Sequence, residues 1–327
     1  MKKFYYVEND CKNPCYNLAL EEYLLTYKNN FLMLWQNDNA IIIGKNQNAY
    51  EEINLTYVEN NNIKVVRRIT GGGAVYHDLG NLNFSFVISP DETEGYAISD
   101  FVKPVVKALG AMGINAEATG RNDIMADGKK ISGNAQRTHK DKILHHGTLL
   151  FDSDLSKVAA SLNIKKEKYS SKSTKSVATR VGNISQMLPK KISVNEFEHN
   201  LMEEFKKDYI LEKYELNEED KKIVEELEQK YSNPEWTFRV IHPMDIHSVK
   251  KFDGGVLEIH MNIEDEKIAK CTVLGDFMSL MDVSQIESNL IGIYFSPSEI
   301  KKVLSNLPLD KILGKITSDE FIECIFE

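Results

Sequence analysis

Arg67-Arg68-Ile69-Thr70-Gly71-Gly72-Gly73-Ala74-Val75-Tyr76-His77-Asp78-Leu79-Gly80-Asn81 begins at the end of a short run, Lys64–Arg67, that reads as a strand. Three consecutive glycines leave bare backbone, which can approach a ligand closely and aim its N–H groups at an anion. The two arginines before them supply fixed charge with forked donors suited to phosphate or carboxylate. The residues alone thus indicate an anion site, against the alternative of a tight turn flanked by exposed arginines. Familiar nucleotide loops do not fit. No Gly-Lys-Ser or Gly-Lys-Thr follows, and the glycine spacing is not GxGxxG.

Upstream, Phe4–Val7 reads as a strand, and Asn13-Pro14 as a helix N-cap with proline at the first helical position. The helix that follows carries Leu18, Leu24 and Leu25 on an apolar side. Phe31–Trp35 and Ala40–Ile43 read as buried strands, and Asn37-Asp38-Asn39 between them predicts a hairpin-like turn. Downstream, Leu82–Ser89 alternates as a strand, Ser99–Leu109 reads as a helix, and Arg121–Phe151 as short strands with tight turns at Asp127-Gly128 and Gly133-Asn134. Antiparallel neighbours with helices outside fit an α+β fold better than repeated βαβ units. Apolar spacing of four predicts helices over Asn195–Tyr209 and Asn217–Tyr231. After Asn233-Pro234, two strands joined by Glu264-Asp265-Glu266, a capped helix from Ser296 and a final helix near Thr317–Ile325 suffice for a small α+β domain.

Three further stretches carry chemistry. In Gly120–Ala135, Lys130 sits on a short strand between two glycine turns, with Asp123 on the neighbouring strand; the bland alternative is a solvent-facing hairpin lysine. The paired His145 and His146 lack metal-ligand partners at HxxxH spacing, so a structural role is expected. Lys172–Ile184 is polar, basic and rich in small residues, which alone reads as a surface loop. Hydrophobic residues are 42% and charged residues 27%, a balance that permits a sizeable soluble core. A net charge of −9 argues against a general nucleic-acid surface. The N-terminus has no signal-peptide pattern and no apolar run is long enough for a bilayer. Four scattered cysteines, Cys11, Cys15, Cys271 and Cys324, suggest a reducing, cytoplasmic setting.

In this order and spacing, RRITGGGAVYHDLGN, GRNDIMADGKKISGNAQ, HHGTLLFD and KSVATRVGNI closely resemble the lipoate–protein ligase family of the lipoyl/biotinyl/octanoyl transferase superfamily. The resemblance covers the chain to about residue 190; the C-terminal part resembles, more weakly, the accessory domain of the larger bacterial members. It implies an α+β fold of the biotin/lipoate ligase, class II synthetase-like kind: a mixed, largely antiparallel sheet with flanking helices. Residues 1–246 would form the catalytic domain and 247–327 a small accessory domain. The implied activity uses ATP with Mg²⁺ to convert lipoate to lipoyl-AMP. The lipoyl group then passes to a lysine of acceptor lipoyl domains, those of 2-oxoacid dehydrogenase E2 subunits and the glycine cleavage H protein. No nucleic acid or membrane partner is implied.

Carried over by position, Lys130 matches the lysine that holds the acyl-adenylate, Arg68 the arginine before the glycines, and Gly73-Ala74-Val75-Tyr76 the nucleotide-contacting run. The expected binding set also includes Gly71, Gly72, His77, Asp123, His146, Gly147, Lys175 and Arg180. Thr70 stands where serine is common, and Met278 where a phenylalanine is frequent. Lys130 would be shared by carboxylate and α-phosphate, relieving their repulsion. Asp123 would orient or deprotonate the acceptor amine, whose free pKa is about 10.4. Leu18, Val75 and Ile131 are candidate walls of an apolar tunnel. The segment Lys168–Asn183 is expected to close over the adenylate, and a hinge is expected near Pro243–Val249. A thioester-forming octanoyl or lipoyl transferase is disfavoured, because no cysteine lies between Cys15 and Cys271. A biotin ligase lacks support without its Gly-Arg-Gly-Arg-type loop. A non-catalytic lipoyl-binding module is disfavoured because every motif residue is present.

Overall fold

The computed structural model describes residues 1–90, 98–119, 122–163, 180–239 and 244–326. β1 (Lys2–Val7) leads into α1 (Pro14–Leu24), β2 (Phe31–Trp35), β3 (Ala40–Ile43), the short helices α2 (Ala49–Glu52) and α3 (Leu55–Asn60), then β4 (Lys64–Arg67), β5 (Val75–His77) and β6 (Asn81–Ile88). Next come α4 (Ile98–Ala111), β7 (Ala116–Thr119), β8 (Asp123–Ala126), β9 (Lys129–His139), β10 (Lys142–Leu150) and α5 (Leu155–Ser161). α6 (Val194–Asp208), β11 (Tyr209–Lys213), α7 (Glu218–Ser232) and α8 (Pro234–Phe238) follow. The chain ends with β12 (Ile246–Phe252), β13 (Gly255–Glu264), β14 (Lys267–Gly275), α9 (Ser284–Leu290), α10 (Pro297–Leu304), α11 (Leu309–Ile312) and α12 (Ser318–Phe326).

An eight-stranded sheet, β11-β1-β2-β6-β10-β9-β8-β7, forms the frame; β1 pairs in parallel with β2 and β11, and the other pairs are antiparallel. This is the mixed, largely antiparallel α+β sheet expected from the sequence. Strand alternation sends Leu32, Leu34, Leu82, Phe84, Phe86 and Ile88 to one face, under α4 and α6. Phe31, Met33, Trp35 and Val87 go to the other face, under α1 and α7. Covering both faces explains why β2 reads as an unbroken apolar run. Asn13 caps α1 as expected, accepting from the Cys15 N–H.

Several expectations need correction. β2 and β3 do not form a hairpin: β3 leaves for a separate three-stranded sheet, β4-β3-β5. The intervening Asn37 is buried and bonds to Asn17 and His77, while Asn39 takes a positive φ of 44°, so the turn carries the chain between sheets. Gly133-Asn134 is not a turn but lies inside the 11-residue strand β9. The hairpin at Asp127-Gly128 is real, with both residues at positive φ. Four strands escaped the sequence reading: the short β5 and β7, then β11, an edge strand paired with β1, and β12, paired with β13. From Ile246 onward the chain builds its own sheet, β12-β13-β14, and a separate core around Leu257, Ile259, Phe277, Ile300 and Phe321.

Arg67, at the end of β4, is fully buried and ties distant segments together. Its guanidinium donates to the carbonyls of Gly44, Lys45 and Gln47 on one side and of Trp236 and Thr237 on the other, at 2.6–3.1 Å. Each stranded buried acceptor costs about 1–3 kcal/mol. Arg67→Met, which keeps the aliphatic bulk, is therefore expected to lower stability by at least about 3 kcal/mol in urea unfolding. A loss under about 1 kcal/mol would show that water replaces the guanidinium.

Candidate active site

Arg68, beside Arg67, buries its guanidinium under the glycine loop. Nε donates to Thr70 Oγ1, Nη1 to Ile42 O, and Nη2 to Gly71 O and Gly73 O, at 2.7–3.0 Å. Burial lowers its pKa to about 10, which leaves it charged at neutral pH. Gly72, at φ 88°, takes a conformation that favours glycine, and its N–H donates to Phe277 O at 3.2 Å. Gly71 is backed by Ser279, whereas a Cβ on Gly73 would meet nothing within 4 Å. The loop is thus divided: its first two glycines pack against the C-terminal segment, and the third faces open space.

That space consists of two adjoining cavities. The inner one is lined by Leu18, Trp35, Ile42, Val75, Ala135 and Gly147, with Arg68, His77, Asn83, Asn134 and His146 as polar groups. The outer one, of about 520 Å³, is lined by Tyr76, Asp123, Met125, Leu150, Val158, Arg180 and neighbours. Ala74, Val75, Lys130, Gly133 and Thr148 line both. Lys130 therefore stands where the inner chamber, with Arg68 in its wall, meets the outer one, which Asp123 and Arg180 border. Its Nζ lies 2.7 Å from Asp123 Oδ1. A register shift between Ile124 and Met125 sets Met125 opposite Lys130 and leaves Ile131 to the core. Leu18 and Val75 are cavity walls as expected; Ile131 is not.

The remaining expected site residues divide by role. Tyr76 borders the outer cavity, but its hydroxyl donates inward to Asn39 Oδ1 at 2.9 Å. His77 Nδ1 is 3.0 Å from Asn37 Nδ2, and burial lowers its pKa to about 3, so it is neutral at physiological pH. His146 lies between Thr70 and Glu21 at the inner wall. His145 faces the other side of β10, between Phe84 and Phe101, where burial lowers its pKa to about 3. Gly147 admits no side chain: a Cβ would sit 2.2 Å from Asn134 Oδ1 and 2.5 Å from the Phe84 ring. Lys175, like most of the expected closing segment, lies outside the described residues, as does Pro243 of the expected hinge. Trp35, Asn83, Asn134 and Thr148 were missed. The one available signal was a polar residue interrupting an apolar strand, as Asn83 does between Leu82 and Phe84.

Known proteins resemble this chain along nearly its whole length. Residues 13–206 match the lipoyl protein ligase A/B catalytic domain, and residues 243–325 the bacterial lipoate protein ligase C-terminus. A lipoate-protein ligase of Bacillus subtilis is 40% identical, over 98% of this chain and 99% of its own. The chain belongs to the lipoate-protein ligase family. LipL1 of P. falciparum, solved in complex with lipoate, superposes with a TM-score of 0.81 at 27% identity, covering 98% of both chains. A lipoate-protein ligase A solved bound with ATP gives 0.64 at 29% identity, covering 74% of this chain and 100% of its own.

In this family member the C-terminal segment seats directly on the glycine loop. Besides the Gly72 bond, Gly275 N–H donates to Asn46 O at 2.8 Å, Asn46 Nδ2 to Ser279 Oγ at 3.1 Å, and Thr138 Oγ1 to Leu280 O at 2.9 Å. Lys45 and Arg137 both pair with Asp282. Burial lowers the Lys45 pKa, and Arg137 adds to this, outweighing Asp282. Desolvation opposes ionisation of Asp282, but the Lys45 hydrogen bond prevails and holds it well below the usual carboxylate range. Asp282→Asn leaves Lys45 buried without its counter-charge, at about 1–3 kcal/mol. The Gly72 amide should then exchange hydrogen about 5- to 150-fold faster. Unchanged exchange would show that Asp282 does not hold the segment in place.

Proposed function

We propose that this ligase activates lipoate with ATP and transfers the lipoyl group to a lysine of acceptor lipoyl domains. The observation that carries this reading is Lys130 at the junction of the two cavities, paired with Asp123. The lipoate-bound and ATP-bound relatives supply the two ligands. The acyl tail occupies the inner cavity, with the carboxylate towards Lys130. The nucleotide occupies the outer cavity, beside Gly73–Tyr76 and Arg180. A carboxylate oxygen attacks the α-phosphorus and the bond to pyrophosphate breaks, giving lipoyl-AMP. Lys130 donates to carboxylate and α-phosphate together, and Arg68 adds fixed positive field. The acceptor amine then attacks the acyl carbon and AMP leaves, with Asp123 orienting the incoming ammonium and taking its proton. Mg²⁺ would be carried chiefly by the triphosphate, whose charge it neutralises. Among the described residues, Asp123 is the carboxylate lining the outer cavity, which fits an ion held mainly by phosphate.

The acceptors would be lipoyl domains of 2-oxoacid dehydrogenase E2 subunits and the glycine cleavage H protein, in the cytoplasm. Among the described residues no helix is long and apolar enough to cross a membrane, and no cysteine lines either cavity. Lys130→Ala should cut pyrophosphate release by about a hundred- to thousand-fold, the effect of losing about 3–4 kcal/mol of transition-state stabilisation. Lys129→Ala should cost far less, because Lys129 packs towards Gly182. A Lys130 variant with half of wild-type release would remove this assignment.

We further read residues 1–246 as the catalytic domain and 247–327 as an accessory domain needed for activation. It supports the glycine loop and keeps water from a hydrolysable anhydride. A truncation after Met244 should keep transfer from supplied lipoyl-adenylate but lose most adenylate formation. Wild-type rates in both assays would make the C-terminal segment an appendage to this chemistry.

A further inference from the structure

Behind the inner cavity, buried groups form one hydrogen-bonded line from its wall to the glycine loop. Trp35 Nε1 donates to Ser85 Oγ at 2.7 Å, and Ser85 Oγ donates to Glu21 Oε1. From the other end, Arg68 Nε donates to Thr70 Oγ1 at 2.9 Å. Thr70 Oγ1 lies 2.8 Å from His146 Nε2, and His146 Nδ1 lies 3.0 and 3.1 Å from the two Glu21 oxygens. The directions at the ends of the line are fixed. The indole and the guanidinium can only donate, and a carboxylate only accepts. His146 therefore carries a hydrogen on Nδ1 towards Glu21, while its Nε2 and the Thr70 hydroxyl share the bond between them. Both arms end on Glu21. No member is more than 8% exposed, so water does not compete for these bonds.

Glu21 does not line the cavity, whereas Trp35, His146 and Arg68 do. Through Nη2, Arg68 also holds the Gly71 and Gly73 carbonyls. One carboxylate thus anchors both the wall that an acyl tail touches and the arginine that shapes the loop beside the nucleotide. We propose that Glu21 is a positioning residue that couples the two cavities, so that a medium-chain carboxylic acid and ATP each strengthen the binding of the other. This rests on the functional reading above, in which acid and ATP share the cavities. An acid packed on Trp35 and His146 holds them in the arrangement that sets Thr70, Arg68 and the loop. The ordering cost then falls on the first ligand and not on the second. Linkage requires the effect to be equal in both directions.

The full chain is titrated calorimetrically with lipoate, alone and with an ATP analogue bridged by methylene between the α and β phosphorus atoms. That analogue cannot lose pyrophosphate. The reciprocal titrations follow. For the wild type, each ligand should tighten the other by the same factor, about 5- to 150-fold. Glu21→Gln places an amide where two donors converge and should bring that factor close to one. Ser85→Ala cuts only the Trp35 arm, is a milder change to the fold, and should also reduce the factor. A merely structural role would lower the melting temperature of the variants and leave the factor unchanged. The coupling is overturned if the wild type binds both ligands independently, or if folded Ser85→Ala and Glu21→Gln keep the wild-type factor. Wild-type protein that binds neither ligand would remove the functional reading, and the coupling with it.

Discussion

Two adjacent guanidiniums, Arg67 and Arg68, are buried with main-chain carbonyls as their chief acceptors, and most of the site is built on them. A charge in the interior is tolerated only when its donors are met. Here the carbonyls of residues 44, 45, 47, 236 and 237 meet Arg67, and those of 42, 71 and 73, with Thr70 Oγ1, meet Arg68. The loop after β3, the glycine loop and the end of α8 therefore cannot shift independently. The surface that receives the C-terminal segment, Lys45 and Asn46, belongs to the same knot. Arg68 spends its hydrogens inside the protein and acts on a ligand chiefly through its field, which reaches further than a hydrogen bond. In the proposed mechanism direct contact falls to Lys130, a partly exposed side chain paired with Asp123. The two cations thus divide the work: one is fixed to shape the loop, the other can exchange its partner during the reaction.

What was legible in the sequence follows from what local chemistry encodes. β2 was legible because helices cover both faces of the sheet there, which demands apolar residues on each, and β6 because Leu82, Phe84 and Phe86 alternate with Asn83 and Ser85. The Asn13 cap and the Asp127-Gly128 turn are local and appeared where expected. The failed hairpin at Asn37–Asn39 shows the boundary. A turn signal says that the chain reverses, not which sheet it joins, and Asn37 is fixed by residues far away in the chain. β11 was hidden because Tyr209–Lys213 is an exposed edge, and β12 because Lys250 and Lys251 break its apolar pattern. At the site, Lys130 and Asp123 were legible through the motif that carries the family resemblance. Trp35, Asn83 and Thr148 belong to strands that read as core, and only the folded structure turns them towards a cavity. Contact between Gly71–Gly72 and Phe277–Ser279 joins segments some two hundred residues apart, which no local pattern announces.

The charge arrangement carries the synthesis one step further. Arg68, Lys130 and Arg180 border the cavities, against the single carboxylate Asp123 among the described lining residues. Such an excess of cations favours a triphosphate and opposes an ammonium. A site that must accept ATP first and a lysine amine second therefore needs its charge balance to change between the two steps. Pyrophosphate release alone does not achieve this, because it removes negative charge. The Lys130–Asp123 pair offers a way through. In the proposed mechanism Lys130 is drawn to carboxylate and phosphate, and Asp123, the carboxylate among the described lining residues, would lose its partner and attract an ammonium. On that mechanism the movement that stabilises the first transition state would also prepare the second nucleophile's seat, and the order of the two reactions would follow from a single ion pair exchanging its partner.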